Sequence, residues 1–557
     1  MKRQTWMCVL LAAVLLTTAG RLAMWPATAA QPLPRSSPAV NTVSDPSPRG
    51  NVLRFGMPVT DVGRLDPHLA AGSQDRALAD MVFNGLLRYA PGDAPKLEPD
   101  LAADIPLFEM VGGRQVWTVH LRRGVMFHAG PMTDAYELTA DDVVFSLRKS
   151  ADPAHCAYAG EYDGMTFEKV DAYTIRIILE KPLSSILFLP KLTDYAGGFI
   201  VSKRAVEAMG MEAHRIHPVG TGPFAFKMRI PNEKIMLSAH RQYFRGRPEL
   251  QGVEIHFSSD ITILEADLRR GDLDVIMGSG DKEWIEKMET VGDVAIDTHG
   301  VGEVISLYLN TQFKPLHDVR VRRAIAYGID REAFLSISHP RLVGSAYSQV
   351  PVQFLPGGLT PSDAARLDLL YPLNLEKARG LLADAGYPDG FTMDLVASEK
   401  RLHRGCFALI VEQLAKIGID CRITFVPHGA MHRLIRQGLQ PMVLYTAWRP
   451  NADAYLSRFF HSDAIVVTGS HPDTNFSHYR QIDRLIEAAR LEINPEKQIH
   501  LWEQAQIRIL NDMAAYPIMF TKQCYARKRY VDYGHELSST MALYPQFTEK
   551  TKMTARR

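Results

Sequence analysis

Apolar residues recur along this chain with two periods, and the periods alternate. After Asn374, a residue type suited to capping a helix start, Leu375, Ala378, Leu381, Leu382 and Ala385 form one helical stripe that Gly386 and Pro388 end. Phe391, Met393 and Leu395 then alternate as a strand does. A second helix is expected from Cys406 to Ile417, carrying Phe407, Ile410, Val411 and Leu414, with Gly418 closing it and Ile419, Cys421, Ile423 and Phe425 alternating beyond. Helix and strand in turn are the mark of an α/β lobe. Asn494-Pro495 reads as cap and first residue of another helix, with Ile499, Trp502, Ala505 and Ile509 inward. The first half holds more strands: Trp117, Val119 and Leu121 alternate, as do Ile175, Ile177 and Leu179. Thr139-Ala140-Asp141-Asp142 resembles a capping box ahead of a helix, and LRRGDLDVIMG reads as helix end, glycine stop and strand. No repeat of 20 to 50 residues is visible.

The beginning follows other rules. Lys2 and Arg3 precede an apolar run from Met7 to Ala19, which Arg21 ends, and Ala27-Thr28-Ala29 gives a small-x-small pattern. This reads as a secretory signal peptide over residues 1–29; a spanning anchor needs about 20 apolar residues. Cys8 lies too early and follows Trp6-Met7, so lipid attachment is not expected. Residues 30–50, rich in Pro and Ser, read as a flexible leader. Export permits disulfides, and the pairing of Cys156, Cys406, Cys421 and Cys524 stays open, except that a helix from 406 to 417 would hold Cys406 about 17 Å from its far end, too far from Cys421 to bridge.

Charge excludes more than it suggests. Lys and Arg number 63 against 62 Asp and Glu, which leaves no field for collecting nucleic acid. The basic stretch HDVRVRRAIAYGIDR, residues 317–331, is therefore expected to be an amphipathic helix capped by Asp318, with Val321, Ala324, Ile325, Gly328 and Ile329 inward. Its arginines are expected to keep the outer face wet and to form ion pairs.

The same stretch carries a resemblance. LYLNTQFKPLHDVRVRRAIAYGID is similar to the N-T-x-x-x-P-x-x-D-x-R-V-R-x-A-I-x-x-x-I-D motif of the family 5 extracytoplasmic solute-binding proteins, the dipeptide, oligopeptide and nickel type that serves ABC importers. LDPHL, DMVFNGLLRY, LEPDLAADIP, WTVHLRRGVMFHAG, LTADDVVFSLRKSADP, HPVGTGPFAF, LRRGDLDVIMG, LEKARGLLADAGYPDG and EQLAKIGI continue it in order. The resemblance implies an α/β, two-lobed periplasmic-binding-protein fold of type II. Lobe 1 would span 51–308 with an extra subdomain at about 84–216, lobe 2 would span 309–518, and 519–557 would return to lobe 1. Chain crossings near 305–312 and 515–522 would form the hinge. It also implies a small solute held between the lobes, first of all a peptide, with a nickel complex, haem, an opine-like conjugate or a sugar as alternatives. The partners would be ABC permease subunits with their ATPases, the protein acting as a monomer in the periplasm without cofactor. A sensory or chaperone-like receptor would keep the same fold.

No nucleophile elbow, H-E-x-x-H, Walker A or dinucleotide motif is present, so an exported hydrolase is the weakest alternative. His428 and His432 have the i,i+4 spacing of metal ligands, but no third ligand is suggested and surface histidines are expected. In peptide-binding members a Trp-x-x-Asp segment meets the peptide ammonium; the matching segment here is LYTAWRPNADAYLSRFF. The third position after Trp448 is Asn451, with Asp453 two residues on. Either Asp453 replaces the expected acid, or the pocket does not select a free amino terminus. Tyr445, Trp448, Arg449, Asn451 and Asp453 are the expected ligand-binding residues, Arg449 as a clamp for an anionic group. A second departure is the insertion near 129–138, whose role the sequence leaves open.

Overall fold

The computed structural model describes residues 50–554 apart from 71, 194–196 and 543. The expected signal peptide and all of the leader but Gly50 lie outside these residues. Among the described residues no helix is long and apolar enough to cross a membrane.

The chain is two-lobed, and the apolar runs explain how the lobes are joined. VLRFGM at Val52–Met57 lies inside a sheet, running parallel to Gly252–Phe257 on one side and to Val275–Met277 on the other, with Leu53, Phe55, Gly56 and Met57 buried. These strands belong to a nine-stranded sheet among the described residues. Its order continues from Val275–Met277 to Ala515–Lys528, Val294–Leu309 and Met442–Ala447. Val294–Leu309 and Ala515–Lys528 are 16 and 14 residues long and pair antiparallel, with register shifts between His299 and Glu303 and between Ile305 and Ser306. Short strands serve one core; these two serve several in succession. Ile296 packs with Leu264, Trp284 and Cys524, while Ile305 and Leu307 pack with Val321, Ile325 and Ile410.

Around this spine the local rules mostly hold. The capping box forms: Asp142 accepts from the Thr139 backbone N–H ahead of helix Ala140–Ser150. Asn374, Asn494 and Asp318 each cap the helix expected of them. Gly271, with φ 77°, closes helix Ile261–Arg270 in the left-handed region that a side chain resists. Phe391–Ser398 and Ile419–Val426 pair in parallel across helix Arg401–Ala415. This helix starts five residues before Cys406, and Leu402, one turn ahead of Cys406, packs against the same core. Cys156, Cys406, Cys421 and Cys524 are all free and buried. A four-stranded antiparallel sheet of Leu107–Val111, Arg114–His120, Thr174–Leu179 and Met165–Lys169 builds its own core around Trp117, Val119 and Ile177. The 129–138 insertion is tied to helix Ala140–Ser150, since the Tyr136 hydroxyl donates to Asp142 at 2.6 Å.

The arginines of the 317–331 stretch correct an expectation. Arg320 does pair with Asp318, at 2.6 Å, on the surface. Arg322, however, is buried and donates to the carbonyls of Leu316, His317, Asp512 and Met513. Arg323 donates to Asn511 O at 2.7 Å. Arg331 is buried too, donating to Pro517 O with its guanidinium 4.7 Å from the ring centres of both Tyr347 and Tyr516. Rather than wetting a face, these groups satisfy carbonyls at the end of helix Pro495–Asn511 and the start of the second crossing strand. A helix C-terminus, with its exposed carbonyls and partial negative charge, suits a cation.

Candidate functional site

In open α/β sheets ligands lie outside the carboxyl ends of the strands. In lobe 2 those ends are Ser398, Val426 and Ala447. Trp448 and Arg449 follow the third directly. Trp448 is half-buried, and the Arg76 guanidinium stands 6.0 Å from its ring centre. Arg76 also donates to the Tyr158 hydroxyl at 2.8 Å, so one cation touches aromatic groups far apart in the sequence. Arg449 donates to Trp448 O at 2.8 Å and lies 4.9 Å over the Phe459 ring.

The remaining expected residues have other duties as well. Asn451 caps helix Ala452–Phe460, accepting from Ala454 N at 2.8 Å. Asp453, in the first turn, pairs with Arg490 at 3.0 Å. Burial pushes its carboxyl above the usual value, against the pull of Arg490. Asn451, Asp453 and Arg490 form one wall of a cleft of about 600 Å³, whose opposite wall carries Lys181, Leu187 and Lys191. The two walls are tied together where Ser184 donates to Gln498 at 2.6 Å, both side chains fully buried. Tyr445 packs within lobe 2 instead, 5.1 Å from Phe476 and 5.7 Å from His432 between ring centres.

Glu303 escaped the sequence reading. It sits at the register shift of the first crossing strand, and because its neighbour Val304 pairs with Ala447, it lies beside Trp448. Burial pushes its carboxyl up, while a hydrogen bond from Gln523 and the charge of Lys400 oppose that rise. Only tertiary pairing brings a residue 145 positions away to Trp448; a carboxylate in an otherwise apolar strand, GVGEVISLYL, was the available signal.

The model of the bacterial extracellular solute-binding proteins, family 5, matches residues 96–465. Heme-binding protein A of Haemophilus influenzae is 28% identical over 471 residues, covering 80% of this chain and 83% of that protein. The dipeptide-binding protein of Escherichia coli is 26% identical over 482 residues, covering 81% and 85%. Among solved structures, MoaA of A. tumefacien R10 in complex with mannopinic acid is 34% identical with TM-score 0.71, covering 91% of this chain and 100% of that one. The match runs through the Trp448 segment, and the chain belongs to the bacterial extracellular solute-binding proteins of family 5.

Proposed function

We propose that this chain captures a small zwitterionic solute, a peptide first of all, in the periplasm and hands it as a monomer to ABC permease subunits and their ATPases. The observation that carries the reading is the placing of charge around Trp448. Arg449 and Arg76 offer cations for an anionic group, and Glu303 offers a half-buried carboxylate for an ammonium. Charge-assisted hydrogen bonds of this kind are the stronger ones. The dipeptide-binding relative and the structure of DppA from Helicobacter pylori with a bound peptide support the peptide. Similarity to a protein solved with mannopinic acid favours an opine-like conjugate as second reading. The crossing strands act as hinge in this proposal, with lobe boundaries near 308 and 518. Ligand binds the closed form better and shifts an open-closed equilibrium, with no bond made or broken.

Asp453 remains a cleft residue in this reading, but Arg490 already neutralises it, so Glu303 takes the amine. Free-amine dipeptides and their N-acetylated forms, titrated by calorimetry, separate the roles. Glu303→Gln and Arg449→Ala are each expected to weaken free-amine dipeptides by roughly ten- to a hundred-fold, the worth of a hydrogen bond to a charged group. N-acetylated forms should ignore Glu303→Gln, and Asp453→Asn should change little. Unchanged affinity in the first two variants places recognition elsewhere. A wild-type protein that binds no dipeptide turns the reading to the conjugate.

A further inference from the structure

The segment KPLSSILF, residues 181–188, leaves strand Thr174–Leu179 of the four-stranded sheet and serves two cores at once. Gln115 fixes it to the sheet: its Nε2 donates to Leu183 O and its Oε1 accepts from Leu183 N, both at 2.9 Å. Phe188 stacks on Trp117 of the same sheet, with ring centres 4.4 Å apart. Ile186 and Leu187, between these anchors, pack instead against the core of Tyr455, Phe459, Ile486 and Trp502. Ser184 donates to Gln498 at 2.6 Å across 314 positions, both residues wholly buried. The Ser184 hydroxyl also accepts from Leu187 N at 3.3 Å, which seats Leu187 beside it. Gln498 is held in turn, its Nε2 donating to Ala489 O at 2.7 Å and to Glu492 O at 3.3 Å, so its carbonyl oxygen is left to face Ser184.

We propose that this segment is a clasp. It holds the cleft wall of Lys181 and Leu187 against the wall of Asn451 and Asp453 whether or not a solute is bound, and so sets how far the protein leans toward its closed form. The clasp rests on the open-closed equilibrium of the preceding reading and is independent of the class of solute.

Separating the walls has to break the Ser184–Gln498 bond and bare Ile186 and Leu187 to water. Water replaces the lost hydrogen bond, so that bond contributes register more than strength; the apolar contact supplies the attraction. Another bridge between distant segments is of a different kind. Arg401 pairs with Glu283 at 2.6 Å, yet both side chains are 65% exposed, so water and salt compete with the pair and it contributes little.

Small-angle X-ray scattering of purified protein, dialysed free of solute, tests this. Leu187→Asp and Ile186→Asp set a charge against an apolar core in the closed form only, so each is expected to enlarge the radius of gyration while circular dichroism stays that of the wild type. Ser184→Ala leaves the buried Gln498 Oε1 without its donor in the closed form only, and is expected to shift the equilibrium toward the open form at least about fivefold. Glu283→Gln is expected to leave the radius unchanged. A wild-type radius in a folded aspartate variant overturns the clasp, and so does an equal expansion in Glu283→Gln. If one aspartate variant misfolds the other decides; if both do, an unexpanded Ser184→Ala overturns the clasp. Expansion without any dipeptide binding leaves the clasp standing and sinks the peptide reading, whereas dipeptide binding with unchanged radii does the reverse.

Discussion

Arg322→Met is expected to lower the unfolding free energy by about 3–5 kcal/mol, although the residue lies in a stretch that reads as a solvated helix face. The guanidinium donates to Asp512 O at 2.9 Å, Met513 O at 3.2 Å, Leu316 O at 2.8 Å and His317 O at 3.1 Å. Leaving a buried acceptor unpaired costs about 1–3 kcal/mol, and neighbouring losses do not simply add. Methionine fills similar volume, so the loss reports hydrogen bonds rather than a cavity. Urea unfolding gives the magnitude. Hydrogen exchange gives the place: amides near the start of Ala515–Lys528 should lose protection first, because Arg322 and Arg323 hold the segment that leads into it. A change below 0.5 kcal/mol would show that water replaces the arginine.

Lys149→Ala is expected to cost a similar 3–5 kcal/mol, for a different reason. The Lys149 ammonium lies 2.9 Å from Asp66, with both side chains almost wholly buried. It also donates to His68 Nδ1 at 3.0 Å, while His68 Nε2 donates to Phe199 O at 2.7 Å. Burial pushes the His68 imidazole down to about 3, so it accepts as a neutral ring. Removing the lysine leaves the buried Asp66 with only the longer Arg215 contact, at 3.9 Å, and the His68 backbone N–H; taking one partner from a buried pair is the costly case, whereas removing both is often near neutral. The double variant Asp66→Asn with Lys149→Met should therefore recover much of the loss. Acid titration supplies a second readout. Burial works to raise the Asp66 carboxyl, but Lys149 and His68 hold it below its usual value. A group whose folded pKa is depressed contributes stability above its unfolded pKa, about 3.9 for Asp, and loses it as pH falls through the lower folded value. In Lys149→Ala the carboxyl rises, so acid unfolding should begin at higher pH; an unshifted acid limb would argue against the pair.

Much of the architecture is legible in the order of residues because its causes are local. Caps at Thr139, Asp318, Asn374 and Asn494, the glycine stop at Gly271 and the alternation at Phe391–Leu395 each depend on a few adjacent side chains, and each forms. The ordered motifs carried the family, since they record many such local choices in sequence. The site was legible only in part: Trp448, Arg449 and Asp453 follow a strand end, but the sequence could not tell that Arg490 claims Asp453 or that Asn451 is spent on a helix cap.

Tertiary structure alone decided what the charged groups do. A charge has no period, and its energy depends on whatever the fold brings within a few ångströms and on how much water remains there. Thus Arg320 and Arg322, two residues apart, end as a surface ion pair and a buried clamp on four carbonyls. Glu303 meets Trp448 through strand pairing, and the spacing of His428 and His432 becomes a 3.2 Å approach only once a particular pair of rotamers is packed beside Ser398 and Tyr445. Apolar patterning, set by neighbours three and four residues away, determined the elements and the family; long-range placement of polar atoms determined the chemistry between them.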